Sequence, residues 1–226
     1  MYRDDYILRM IRRLGQVIAY IAGLRRQGQY PLALAACDEA MRNALGVGSE
    51  ALTARSEREI LALIRFADRD GSWRELAAYV AAIFHAEAAI YEAQGDQELV
   101  PARALLALQL LIECQLAGAG SQDEASPPLP EYAPPREHLL ELLAGYTLPE
   151  HTRVALFQLY EAEGAFDRAE DQLFELLAAA PADDTLHAAG VAFYERLLAL
   201  DDATLGAGGL PRAEAEAGLA ELQARR

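Results

Sequence analysis

The chain has 226 residues, 53% of them hydrophobic, and a formal net charge of −15, enough length for one large or two small domains with their own buried cores. Alanine supplies about a fifth of the residues and leucine nearly a sixth, a mixture that favours helix and is poor in the β-branched residues typical of strands. All 20 basic residues are arginine, which excludes a Schiff-base lysine, a phosphate-loop lysine and a lysine general base.

The first 26 residues depart from the average, with a formal charge of +4 against −19 for the remainder. Asp4 or Asp5 opens a helix whose Ile7, Leu14, Val17/Ile18, Ile21 and Leu24 recur at three- and four-residue steps. Arg9, Arg12 and Arg13 form a basic stripe beside that apolar face, and Gly28 stops the helix. Pro31 sits in the first turn of a second helix ending near Leu45, so the short connection predicts an antiparallel hairpin. Ser49 to about Ala67 reads as a third helix, with a possible internal start at Ser56-x-x-Glu59. Ser72-x-x-Glu75 reads as a cleaner capping box for a fourth helix to Gln94, and Pro101 opens a fifth ending near Ala117.

Gly118 to Pro135 reads GAGSQDEASPPLPEYAPP and holds five of the ten prolines without helical period. It predicts a linker or long surface loop between an N-terminal block, 1–117, and a C-terminal one, 136–226. Beyond it the pattern predicts helices at about 135–145, 149–163, 167–180, 183–200 and 211–225, giving ten helices and an all-α fold.

Two turns share one signature, G-x-aromatic-x-x-A, in Gly28–Ala33 and Gly164–Ala169. With Leu156 and Tyr160 before it and Leu173, Leu176 and Pro181 after it, the second unit resembles the tetratricopeptide repeat. It departs from that repeat at Phe157, where a small residue is usual. The resemblance implies antiparallel hairpins stacked as a short right-handed superhelix with a peptide-binding groove. Its register implies that Arg25 and Arg26, then His151, Gln158 and Glu161, then His187, Tyr194 and Glu195 face that groove. The opening Asp5–Ile11 segment and the Leu24–Tyr30 turn also resemble the start of an uncharacterised bacterial family of helical proteins.

Catalytic patterns are sparse. His85-Ala86-Glu87 lacks the P-C-x-x-C of zinc deaminases, Asp184-x-x-His187 falls at a helix start, and no G-x-S-x-G or glycine-rich phosphate loop is present. Cys37 and Cys114 lie apart within apolar helical patterns, fitting reduced buried thiols and a cytoplasmic location. Gln16–Leu24 is too short to span a bilayer. The expectation is a noncatalytic scaffold or adaptor without cofactor or metal, binding a protein or peptide and able to self-associate. The net charge opposes nucleic acid and membrane surfaces. Two alternatives stay open: nucleic-acid or phosphate binding through the basic first helix, and an enzyme with an unfamiliar carboxylate/histidine site.

Overall fold

The apolar stripes become helices, and among the described residues there are twelve helices and no strand. The computed structural model describes residues 2–68, 71–119 and 128–224, excluding the side chains of 2–10 and 119. The chain divides into two units, one built from the described residues up to Gly118 together with 128–147, the other from Leu148 onward.

The first unit contains α1 (Tyr2–Arg26), α2 (Tyr30–Leu45), α3 (Ser49–Thr53), α4 (Glu57–Ala67), α5 (Trp73–Gln94), α6 (Val100–Ala119) and α7 (Arg136–Leu142). The α1–α2 hairpin closes over Gly28, whose φ of +71° lies in the left-handed region where a side chain is strained. Ala33, fully buried, keeps a small side chain at that hairpin. Both helices pack against α5, whose residues 77–84 are all buried. α6 runs antiparallel to α5. Arg74 Nε donates to the Cys114 carbonyl at 3.0 Å near one end, and Arg103 faces Glu87 nearer the other. Within α6, Val100–Gly118 is long and apolar enough to cross a membrane by composition, and 56% of that window is buried inside the fold.

The expected third helix divides into α3 and α4. Ser56 has extended backbone (ψ 157°) and its hydroxyl accepts from Glu59 N–H while the Glu59 carboxylate accepts from Ser56 N–H, a complete capping box that starts α4 afresh. Ser72, expected to cap α5 in the same way, makes no side-chain cap bond. Its N–H and hydroxyl instead donate to Asp68 Oδ1 at 2.9 and 3.4 Å. Asp68 therefore holds the turn that the Ser72 hydroxyl was expected to hold.

The proline-rich stretch also differs from a simple spacer. Residues 120–127 of the expected linker lie outside the described residues, but 128–135 run as a strap over α5. Tyr132 O–H donates to the Glu75 carbonyl at 3.1 Å, and its ring meets Tyr79 edge-on with centroids 6.0 Å apart. α7 then docks on the same unit: Leu139 is fully buried, His138 bonds His85, and Arg136 donates to Gln115 at 3.3 Å. The boundary between units thus falls at 147/148 rather than 135/136.

The second unit contains α8 (Glu150–Glu163), α9 (Phe166–Ala179), α10 (Asp184–Leu198), α11 (Asp202–Ala207) and α12 (Arg212–Ala224). α8 and α9 form an antiparallel hairpin about Gly164, with Leu156, Tyr160, Phe166, Ala169, Leu173 and Leu176 buried. Phe157 is buried too and packs on Phe193 of α10, ring centroids 5.2 Å apart. α11 falls between the helices expected at 183–200 and 211–225. Asp201 caps it, accepting from Thr204 N–H at 2.8 Å, and its end returns to the α8–α9 turn, where Asp167 N–H donates to the Gly208 carbonyl at 3.1 Å. A Cβ at Gly208 would collide with the Phe166 ring and the Gly164 carbonyl, so the glycine-rich stretch permits backbone-to-backbone contact. α12 covers α10, where a Cβ at Gly218 would strike the Tyr194 ring.

Candidate functional site

The hairpin of α1 and α2 leaves an open cleft of about 700 Å³ beside α5. Its floor is apolar because alanines meet short aliphatic residues: Leu14 and Val17 from α1, Ala36 and Ala40 from α2, Leu76 from α5. Small side chains on Ala36, Ala40 and Ala44, spaced by four residues, leave the space that leucines would fill. The rim carries both signs of charge, with Arg13 on α1, Glu39 on α2 and Asp68 at the end of α4. Tyr20 stands at the rim with 62% of its surface exposed. Tyr79, at the foot of the cleft, is 3% exposed and its hydroxyl is pushed up to about 12, first by burial.

On another flank of α1 lies a second cavity of about 150 Å³, lined by Ile18, Ile21, Ala22, Arg25, Ala82, His85, Ala86, Ala89 and Tyr132. His85 Nε2 and His138 Nδ1 are 3.0 Å apart, one donating and the other accepting according to tautomer. Burial lowers His85 to about 4, with His138 and Arg25 adding to the cost of its charged form.

A third polar group lies in the unit's core. Glu87 is 3% exposed and faces Arg103 with an N···O separation of 3.8 Å, an ion pair beyond hydrogen-bonding distance. Glu87 Oε2, Arg103 Nε and Ser49 Oγ are buried without hydrogen-bond partners. Burial raises the Glu87 carboxyl above its ordinary range, more than the Arg103 charge lowers it. Arg103 also lies over the Tyr91 ring, 5.2 Å from its centroid. Cys37 and Cys114 are free and fully buried, and burial pushes both thiols up.

The residues expected to share one groove are dispersed over two units. Arg25 lines the small cavity and Arg26 is exposed. Arg12 and Arg13 are exposed, Arg13 at the cleft rim, while the Arg9 side chain lies outside the described residues. In the second unit His151 and Gln158 are exposed. Glu161 accepts two hydrogen bonds from Arg196, at 2.7 and 2.9 Å, which tie α8 to α10. His187 is half-buried, its Nε2 without a hydrogen-bond partner. Tyr194 does not face a groove: it is fully buried under α12 and donates to Glu170 at 2.5 Å. Register alone placed it outward because the α12 cover was not legible.

Glu39, Asp68 and Arg103 carry no motif, although Arg103 and Glu87, lone charges inside long apolar runs, show the one sequence sign of a buried pair. Among the described residues no three His, Cys, Asp or Glu side chains converge as a metal site.

The family model of DUF6483, a family of unknown function, matches residues 1–226. The chain belongs to this family. No curated protein matches the DUF6483 chain, and no solved structure does.

Proposed function

We propose that this DUF6483 protein is a noncatalytic helical module that docks a peptide segment of a protein partner in the cleft between α1, α2 and α5. The cleft carries the reading. Its open form, apolar alanine-lined floor, mixed-charge rim and exposed Tyr20 suit a side-chain cluster presented by a peptide, with an aromatic anchor inside a polar border. The thiols support a noncatalytic role, since burial keeps both protonated and inaccessible as nucleophiles. In the second unit, the α8–α9 hairpin buries its signature positions as a tetratricopeptide-like repeat would, and the Glu161–Arg196 link spans α8 and α10. That unit supplies a second exposed helical surface, including His151 and Gln158.

The test is selection of binding peptides from a random library on the intact protein, followed by affinity measurement with variants. Ala36→Arg plants a charge on the cleft floor and is expected to weaken selected peptides by about tenfold or more, equivalent to about 1.4 kcal/mol. Gln158→Arg, on the second unit, is expected to leave them unchanged. Peptides that bind Ala36→Arg as well as wild type, while losing affinity for Gln158→Arg, would move the docking surface to the second unit.

A further inference from the structure

Arg25 is placed unusually for a chain of net charge −15. It lies in the last turn of α1, where a cation complements the helix dipole, yet no carboxylate pairs with it among the described residues. Arg25 lines the 150 Å³ cavity, whose other contributors are aliphatic side chains, His85 and Tyr132. The Tyr132 hydroxyl is engaged by the Glu75 carbonyl, and the His85 ring nitrogen Nε2 by His138. Arg25 is thus the cavity's one permanent charge, and its five donors are arranged to hold two carboxylate oxygens side by side.

Size narrows the ligand. A volume of about 150 Å³ is that of a cavity able to take a ligand of about benzene's size, room for a carboxylate with a short aliphatic chain but not for a nucleotide. Ile18, Ile21 and the alanines of α5 offer that chain an apolar wall. We propose that the cavity between α1, α5 and the 128–135 strap is a binding site for a small carboxylate bearing a short aliphatic group, with Arg25 as its counter-ion. This site is separate from the peptide cleft, and its test stands whether or not peptides dock there.

Calorimetric titration of the intact protein with sodium butyrate, at constant ionic strength, is expected to show saturable binding in the millimolar range, with none for butyramide, the uncharged analogue. Arg25→Gln is expected to weaken butyrate by about tenfold or more while retaining wild-type helicity, since Arg25 holds no structural ion pair. Ala22→Leu keeps Arg25 but fills the cavity and is expected to abolish binding. N-acetyl-alanyl-valine and its C-terminal amide identify the source of the carboxylate. Competition by the free acid alone assigns the site to a peptide C-terminus; butyrate binding without such competition assigns it to a free small acid. Absence of saturable butyrate and peptide-acid binding to wild type overturns the proposal, as does butyrate binding that survives Arg25→Gln or Ala22→Leu.

Discussion

Glu87 and Arg103 stand inside the α5–α6 contact with side chains 4% and 13% exposed, where loss of one partner leaves the other charge without water or counter-ion. Arg103→Met is expected to lower unfolding free energy by about 3 kcal/mol. The double replacement by methionine is expected to recover most of that loss, because both desolvation costs disappear together; chemical denaturation of the two variants checks the ranking. Burial raises the Glu87 carboxyl above its ordinary 4.5, so its contribution to stability is complete below 4.5 and is lost as pH rises through the folded value. Glu87→Gln should therefore flatten the decline in stability that the wild type shows as pH rises above 4.5. His85 acts with the opposite sign. Burial, then His138 and Arg25, depress it from 6.5 to about 4, so its contribution is present above 6.5 and lost as pH falls toward 4. Unfolding measured across pH 7 to 4 is expected to show a smaller loss in His85→Gln than in wild type. Equal acid sensitivity would show that the His85–His138 pair takes up its proton without opposition.

At the level of elements, Ser56-x-x-Glu59 and Ser72-x-x-Glu75 look alike in sequence, but the structure uses them differently. Glu59 bonds back to Ser56 N–H at 2.9 Å, whereas Asp68, four residues before Ser72, accepts the corresponding N–H. The motif was legible; the competitor was not, since four-residue local pairing depends on a turn formed only when α4 packs on α5. Ser56→Ala is expected to cost about 1 kcal/mol and Glu75→Ala to remain within about 0.5 kcal/mol, measured by thermal unfolding. The two hairpin turns were legible for a firmer reason. Gly28 and Gly164 both have left-handed φ, +71° and +74°, and Ala33 and Ala169 are both fully buried. Replacing either alanine with leucine is expected to overpack its hairpin by about 1–3 kcal/mol. Nothing local to the glycines at 206–209 reveals that Gly208 meets a turn some forty residues earlier. The cleft was hidden for a related reason. Ala36 and Ala40 read equally well as close-packing positions, and only the splay of α1, α2 and α5 turns their small size into empty space.

On the scale of the whole molecule, the all-helical class followed from composition and period, but the division between units did not. Prolines at 127, 128, 130, 134 and 135 suggested a boundary, while Tyr132 and Leu139 bind the later part of that stretch to the first unit. A proline-rich composition disfavours helix; it does not prevent a strap from burying an aromatic ring. Each unit has its own core and its own excess of acid, formally −6 for residues 1–147 and −9 for 148–226. Their unfolding is expected to be resolvable by calorimetry, with a measured enthalpy exceeding the van't Hoff value; equality of the two would show a single cooperative body.

Both sulfhydryls belong to the first unit, Cys37 on α2 and Cys114 on α6, and both have no exposed surface. The second unit contains no cysteine, so an alkylating reagent would act as a clock for one half of the molecule alone. Its two hands read different doors: one opens when the hairpin lifts from α5, the other when α6 does. The difference between their modification rates therefore reports which side of that unit breathes first.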